Sequence, residues 1–167
     1  MREILDRQRA AFMAEMPVSI ETRKDRLHRA AAMVKDNAVR FCDALSEGFG
    51  HRSPPQSMVT DVVASVSPLK HAEKMVARWA KREKKPVMFP LGLLGAKAWI
   101  EYQPKGVVGI IAPWNFPVNL VMSPLAGVFA AGNRAMVKTS EFTPATAALF
   151  EELCPRYFDP AELAFVS

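Results

Sequence analysis

The sequence predicts an α/β fold in which a layer of helices and a β-arm lead into an incomplete parallel, Rossmann-like sheet. Three stretches carry this prediction: an apolar run rich in Val and Ile at 106–112, an apolar segment of helical length at 118–131, and a second short apolar run at 134–138. Strand, helix and strand in this order form a βαβ unit, whose two strands lie parallel in one sheet. The first run is also typical of a strand that is buried on both faces.

Composition and charge argue against several classes of partner. Half of the residues are hydrophobic and 23% are charged, as in an ordinary globular protein. The net charge of +5 is spread along the predicted helices without a nucleic-acid-binding motif, so we expect no nucleic-acid partner. No unbroken apolar stretch of about 18 residues occurs, so no membrane partner is expected. Glu3 and Asp6 replace the apolar core of a signal peptide, which favours a cytoplasmic protein.

The first part of the chain is predicted to be mainly helical. A first helix spans 1–16, and Ser19 is a suitable N-cap for a second helix. Asn37 is predicted to cap a third helix. In the second helix, apolar residues recur at helical spacing, so the charged residues between them are expected to face water: Arg23, Lys24, Asp25 and Arg26.

The next segments lead towards the β-arm. A loop at 51–55 and a short helix at 58–65 precede a longer helix over 69–85. The basic cluster 81–85 would form the last turn of that helix, where positive charge complements the helix dipole. Residues 96–103 alternate in polarity and predict a strand, the segment that is called the β-arm below.

We place a domain boundary at the turn before the first buried strand. Residues 1–105 would form the helices and β-arm, and residues 106–167 the first part of a dinucleotide-binding domain. In this second domain, Thr143 is a suitable N-cap and Pro144 a suitable first residue for a further helix. Residues 163–166 would then add a third parallel strand.

The turn 113–117 follows the carboxyl end of the first buried strand, the edge at which ligands bind in open α/β sheets. Its two prolines restrict the residues before them to extended conformations, and Pro117 suits the start of the following helix. Asn115 is therefore held between two stiff points, and its uncharged amide is a suitable donor to an oxyanion. The alternative is that the Asn115 side chain only satisfies backbone groups of the turn.

Neither cysteine is predicted to be reactive. Cys42 and Cys154 lie among apolar residues at helical spacing, which is typical of buried thiols. Two cysteines cannot make a disulfide framework. Neither has the spacing of a metal-binding motif, so no metal site is expected.

Residues 106–117, 131–133 and 137–144 resemble the NAD(P)-dependent aldehyde dehydrogenase superfamily, and most of all its coniferyl-aldehyde dehydrogenase branch. A Pro-Trp-Asn-Phe-Pro turn followed by a Lys-x-x-Glu strand end is the specific part of this likeness, which covers the rest of the chain loosely. The resemblance implies oxidation of an aldehyde to the acid through a cysteine thiohemiacetal, with Asn115 as oxyanion donor. It also implies that the nucleophilic cysteine and the general-base glutamate lie beyond this chain, which alone would be inactive.

The resemblance implies a cofactor site at the same edge. Lys138 and Glu141 would contact the adenosine ribose, unless they are only a surface lysine and a glutamate near a helix start. A carboxylate accepts hydrogen bonds from ribose hydroxyls and repels a 2′-phosphate, so NAD is expected rather than NADP. A G-x-G-x-x-G fingerprint is missing, as it is in the resembled family. Four residues would line the groove with their backbone: Ile111, Ala112, Pro113 and Trp114.

The resemblance extends to substrate and partners. An aromatic residue with small or polar neighbours suits an aromatic aldehyde such as coniferyl aldehyde, although ordinary helix packing would also explain these residues. The family uses the β-arm for subunit contact, so a homo-oligomer is expected. Two other functions stay open: a non-catalytic module that pairs with a full-length homologue, and an acyl-phosphate reductase of the same fold. The positions that match the family's aldehyde tunnel are Phe116, Asn119, Leu120 and Ser123.

Overall fold

The computed structural model describes residues 1–166, so Ser167, the last residue of the second predicted domain, lies outside it. The α/β class predicted from the sequence is confirmed. No helix within 1–166 is both long and apolar enough to cross a membrane. The helices are α1 (Arg2–Glu15), α2 (Ile20–Asp36), α3 (Ala38–Gly48), α4 (Pro54–Ser57), a π-helical turn (Met58–Val63), α5 (Ala64–Trp79), α6 (Asn119–Ala130) and α7 (Pro144–Tyr157). The strands are β1 (Glu83–Lys85), β2 (Ala98–Ile100), β3 (Val107–Ile111), β4 (Arg134–Lys138) and β5 (Leu163–Val166).

Three strands form a parallel sheet in the order β3-β4-β5. α6 connects β3 to β4 and α7 connects β4 to β5, so the predicted βαβ unit and the third strand are confirmed. β3 lies at an edge of the sheet, and its last residue, Ile111, is 83% exposed. The expectation that β3 is buried on both faces was therefore wrong, because Ile110 is buried on one face while Gly109 and Ile111, which alternate with it, are exposed on the other.

The β-arm is an antiparallel pair of short strands in which Lys84 of β1 lies opposite Trp99 of β2. The Arg82 guanidinium lies 5.2 Å from the Trp99 ring centroid. The predicted helix over 69–85 was too long, since α5 ends at Trp79 and residues 83–85 form a strand. The charged run has no apolar period of its own, so its pairing with β2 decides its conformation.

A nearly continuous helical run extends from Pro54 to Trp79. Residues 51–53 form the predicted loop, but Pro54 and Pro55 already belong to the helical run, and 58–65 is part of this run rather than the separate helix that the sequence predicts. The paired prolines occupy the first helical positions, where a proline loses no helical hydrogen bond. The π-helical turn Met58–Val63 interrupts the run, and its Asp61 is fully buried.

The predicted side-chain caps are confirmed for one helix out of three. Ser19 Oγ accepts a hydrogen bond from a backbone amide in the first turn of α2 at 3.0 Å. Asn37 precedes α3, but its amide donates to the Met33 carbonyl at 2.9 Å and so binds the end of α2 instead. Thr143 precedes α7, yet its hydroxyl donates to the Ser140 carbonyl at 3.3 Å. Asn37 and Thr143 thus stand at the predicted N-cap positions of α3 and α7, and Pro144 begins α7 as predicted, but neither side chain makes a capping hydrogen bond to its helix.

Arg26, which was expected to face water, is 1% exposed. Its guanidinium pairs with Glu15 at 2.8 Å and with Glu162 at 2.9 Å. Arg29 also pairs with Glu162, at 2.8 Å. A buried charge needs such partners because they offset its loss of hydration. The periodicity of α2 could not reveal them, since both carboxylates come from other parts of the chain.

One hydrophobic core extends across both predicted domains. It includes Leu27, Phe41 and Leu69 from the first part of the chain, and Phe129 and Phe150 from the second. The rings of Phe41 and Phe150 are in contact, with centroids 5.0 Å apart. The boundary near residue 105 marks the change from helices and arm to sheet, and as a domain boundary it stays a prediction.

Candidate active site

The carboxyl ends of β3 and β4 lie side by side at one edge of the sheet. Their last residues, Ile111 and Lys138, are partners in the parallel register. The Ala112 amide donates to the Lys138 carbonyl at 2.9 Å. This pairing brings the segments 111–114 and 138–141 together. Of the four predicted groove residues, Ala112 is buried, and the other three are exposed at this edge of the sheet.

Lys138 and Glu141 form an ion pair at the same edge, with 3.1 Å between Nζ and Oε2. The pKa of Glu141 is lowered by a hydrogen bond from its own backbone amide and by the nearby Lys138 ammonium group. This exposed carboxylate is therefore ionised at neutral pH. Its oxygens can accept hydrogen bonds from hydroxyl groups, and its charge disfavours a phosphate at the same place.

Asn115 lies at the centre of the turn 113–117 and is exposed. Its backbone carbonyl accepts a hydrogen bond from Arg52 Nη1 at 3.3 Å. Among the hydrogen bonds within residues 1–166, none links the Asn115 side-chain amide to the backbone of the turn. The amide is therefore available to a ligand oxygen just beyond the end of β3.

Two buried residues that the sequence did not single out hold this turn from the helical side. Asp61 Oδ1 accepts hydrogen bonds from the backbone amides of Val118 and Asn119 at 3.1 and 3.3 Å, so it caps the amino terminus of α6. Asp61 Oδ2 pairs with Arg52 Nη2 at 3.0 Å. The one signal in the sequence is an aspartate within a mostly apolar stretch, which does not identify its partners.

Of the four predicted tunnel residues, Phe116 lies in the turn before α6 and the other three lie in the first turns of α6; each is partly buried. Spacings of three and four residues place Ser123 on the same face of α6 as Leu120 and Asn119. Ser123 Oγ donates to Asn119 Oδ1 at 2.6 Å, and the Arg52 guanidinium lies 5.2 Å from the Phe116 ring centroid. Helix packing also accounts for partial burial, so the tunnel stays a prediction. The residues are Phe116, Asn119, Leu120 and Ser123.

Both cysteines are buried, as predicted. Burial raises the pKa of the Cys154 thiol to about 12, and it raises the pKa of Cys42 as well. Since the nucleophilic form of cysteine is the thiolate, neither side chain suits attack on a carbonyl at neutral pH.

The aldehyde dehydrogenase family model matches residues 1–165. The chain belongs to the aldehyde dehydrogenase family. The resemblance carried by the turn at Asn115 and by the strand end at Lys138 and Glu141 is thereby confirmed. The match also includes the helices and the β-arm, where the sequence likeness is looser.

Relatives in the aldehyde dehydrogenase family include coniferyl aldehyde dehydrogenases. The chain is 49% identical over 162 residues to the coniferyl aldehyde dehydrogenase of Pseudomonas sp. strain HR199, a match that covers 97% of the chain and 33% of that enzyme. It is 48% identical over 165 residues to a probable coniferyl aldehyde dehydrogenase of Caulobacter vibrioides, covering 98% and 34%. The chain thus spans about a third of the length of these curated relatives.

Solved structures of aldehyde dehydrogenases share the fold of the chain. Staphylococcus aureus AldH in a substrate-bound state superposes with a TM-score of 0.90 at 30% identity, covering 99% of this chain and 35% of that one. Succinic semialdehyde dehydrogenase from Streptococcus pyogenes, in complex with NADP+, superposes with a TM-score of 0.84 at 18% identity, with the same coverage. At 18% identity the likeness shows the fold alone. The family uses NAD or NADP.

Proposed function

We propose that this chain supplies the oxyanion donor and part of the nucleotide site of an aldehyde dehydrogenase that acts on an aromatic aldehyde of the coniferyl type. The observation that carries the proposal is the turn 113–117. It holds Asn115 exposed beyond β3, at the sheet edge that also bears Lys138 and Glu141. The family membership of the chain supports this role.

The chemical role of Asn115 follows from its amide. When a nucleophile adds to an aldehyde carbonyl, negative charge develops on the oxygen, and a fixed neutral donor stabilises it. Asn does not titrate, so the donor is present at any pH. Removal of one such donor lowers kcat by about 10²–10³-fold. The nucleophile would be a cysteine outside this chain, because burial leaves Cys42 and Cys154 as protonated thiols.

We propose NAD as the cofactor, which would supply the hydride acceptor. Lys138 and Glu141 would hold the adenosine ribose, and the backbone of 111–114 would line the groove beside it. The pKa of Glu141 is lowered, so a carboxylate is available to accept from the ribose hydroxyls. The same carboxylate would repel the 2′-phosphate of NADP.

The substrate proposal depends on Phe116 and on the relatives. Phe116 is partly buried in the turn before α6, where its ring could contact an aromatic aldehyde. Two relatives share nearly half of their aligned residues with this chain. One is named a coniferyl aldehyde dehydrogenase and the other a probable coniferyl aldehyde dehydrogenase. An aldehyde of that chemical type is therefore the substrate to test first.

We also propose that the β-arm joins two copies of the protein. The connector before β2 exposes several large apolar side chains, and β2 itself exposes Trp99. Exposed apolar groups of this kind mark contact surfaces. A non-catalytic interaction module would use the same surface, so activity rather than association distinguishes the two functions. The exposed side chains of the connector are Met88, Phe89, Leu91, Leu93 and Leu94.

A chimaeric enzyme tests the proposed function. Residues 1–165 of this chain replace the matching segment of the Pseudomonas coniferyl aldehyde dehydrogenase, which supplies the rest of the enzyme. We expect the chimaera to oxidise coniferyl aldehyde with NAD. We expect Glu141→Gln to raise the KM for NAD about tenfold while kcat stays nearly constant, because the interaction is made equally in the ground and transition states.

Glu152→Gln is the matched control, since Glu152 is also an exposed, ion-paired glutamate but lies on α7. It should leave the KM for NAD unchanged. A folded chimaera without activity would contradict the enzymatic proposal and favour the interaction module.

A further inference from the structure

Arg52 is fixed by contacts on all sides although it comes from the segment between α3 and α4. It is 8% exposed. Its Nη2 atom lies 3.0 Å from Asp61 Oδ2 and donates to Thr60 Oγ1 at 3.1 Å. The guanidinium also lies near two aromatic rings, 4.9 Å from the centroid of Phe49 and 5.2 Å from that of Phe116.

The remaining contact of Arg52 is directed at the candidate active site. Its Nη1 atom donates to the backbone carbonyl of Asn115 at 3.3 Å. One planar guanidinium therefore bonds Asp61 with one nitrogen and the peptide of Asn115 with the other. This fork geometry is specific to arginine, because a lysine ammonium is a single point.

Asp61 fixes the other side of the same turn. It is completely buried within the π-helical turn, a type of helix irregularity that is frequent at functional sites. Its Oδ1 atom accepts from the amides of Val118 and Asn119. Arg52 thus holds the turn at Asn115, and Asp61 holds it three and four residues later.

We propose that Arg52 and Asp61 are positioning residues that set the orientation of the Asn115 amide, an inference that rests on the oxyanion role proposed above. Burial of two charges is a poor way to stabilise a fold, since apolar residues of the same volume often stabilise it as well or better. Instead, Arg52 fixes the peptide of Asn115, and Asp61 fixes the start of α6, the helix that follows the turn. An oxyanion donor requires this, because a displacement of about 1 Å can lower the rate about 100-fold.

Hydrogen–deuterium exchange of the 167-residue chain, measured by mass spectrometry, tests the structural half of the proposal and tolerates self-association. Arg52→Lys keeps a charge for Asp61 but loses the fork. We expect the peptide 114–121 to exchange about tenfold faster in this variant, because local opening becomes easier. The peptide 20–36 should keep its exchange rate.

Arg26→Lys is the matched control, because Arg26 is as deeply buried and also pairs with carboxylates. It should speed exchange in 20–36 and leave 114–121 unchanged. If Arg52→Lys unfolds the whole chain, Asp61→Asn replaces it, since this isostere keeps Oδ1 as the acceptor for α6 and replaces Oδ2, the partner of Arg52, with an NH2 group that cannot accept. Exchange at the original rate in 114–121 of a folded variant would overturn the proposal.

Kinetics of the chimaeric enzyme test the catalytic half. We expect Arg52→Lys to lower kcat about tenfold and to change the KM for NAD less than about twofold. In an Asn115→Ala background, the same substitution should change kcat less than about twofold, because residues that act through one group are not additive. A general loss of stability would instead lower kcat by the same factor in both backgrounds.

The outcomes separate the two proposals. An active chimaera in which Asn115→Ala keeps its kcat would contradict the oxyanion role and, with it, the positioning role. A chimaera in which Asn115→Ala is impaired but Arg52→Lys is not would contradict the positioning role alone. If a folded chimaera is inactive, the enzymatic proposal fails, and the exchange rate of 114–121 decides the structural half alone, namely whether Arg52 and Asp61 hold the turn at Asn115.

Discussion

At the scale of residues, buried ion pairs join parts of the chain that are far apart in sequence. Arg52 and Asp61 hold the turn before α6, and Arg26 connects α1 and α2 to Glu162 before β5. Because breaking such a pair leaves one charge buried without a partner, each residue of a pair depends strongly on the other. These pairs thus fix the mutual arrangement of the elements that they join.

Glu162 should make the stability of the chain depend on pH. Burial disfavours its ionised form, but hydrogen bonds from Arg29 and Arg26 outweigh this and lower the pKa of Glu162 to about 2. A carboxylate whose pKa is depressed by folding stabilises the folded state above its unfolded pKa, and this contribution is lost as pH falls through the folded pKa. We expect the free energy of unfolding in urea to fall by on the order of 2–3 kcal/mol between about pH 5 and pH 2.

Substitution of Glu162 checks this assignment. Glu162→Gln should destabilise the chain at pH 7 and remove most of the fall in stability at acid pH. The control Glu152→Gln changes an exposed carboxylate, so its pH dependence should follow that of the unsubstituted chain. An equally steep fall in Glu162→Gln would assign the effect to other groups.

The sequence predicted the exposed and chemically specific residues of the site better than the buried polar ones. Asn115, Lys138 and Glu141 stand in short motifs next to strand ends, so their place at the sheet edge follows from local order. Arg26 and Asp61 were not anticipated as buried groups, because burial of a charge depends on partners from other elements. The roles of the motif residues in catalysis and cofactor binding stay predictions.

At the scale of elements, the parallel sheet was predictable and the arm was only partly so. β3, β4 and β5 are apolar runs between turn residues, and each lies where the sequence places it. The polar segment 83–85 carries no such signal, and pairing with β2 determines it. A side chain also links two elements: Asn133, after α6, accepts hydrogen bonds at 2.6 and 2.9 Å from the backbone amides that lead into β3.

The arm should make the 167-residue chain self-associate. β1 and β2 pair only with each other within residues 1–166, so each has an edge open to another strand. Leu93 and Leu94 in the connector are both 79% exposed. We expect static light scattering across a dilution series to show dimers or larger species, and the double substitution Leu93→Glu, Leu94→Glu to shift them towards the monomer.

Exposed apolar residues away from the arm provide the control for this experiment. Met13 on α1 and Val39 on α3 are also well exposed, and replacing both with glutamate should leave association unchanged. A monomer at high protein concentration, with slow amide exchange at 99–102, would show that the arm is already covered within the chain.

At the scale of the whole molecule, the chain combines one continuous core with a sheet edge at which Asn115 and the Lys138–Glu141 ion pair lie. The aldehyde dehydrogenase fold matches over nearly all of its length, while it spans about a third of its curated relatives. We therefore propose half-sites for it: the donor Asn115 on the substrate side, and Lys138 with Glu141 on the nucleotide side. The arm is the surface that we propose for contact between subunits.

The kcat of two Asn115 variants in the chimaeric enzyme tests the central claim most directly. Asn115→Ala removes the donor, and Asn115→Asp keeps its shape but puts a negative charge where the oxyanion would form. We predict that both lower kcat by about 10²–10³-fold, with Asp at least as impaired as Ala. A kcat within about threefold of the unsubstituted chimaera for Asn115→Ala would contradict the claim, because a loss that small lies far below the effect of an oxyanion donor.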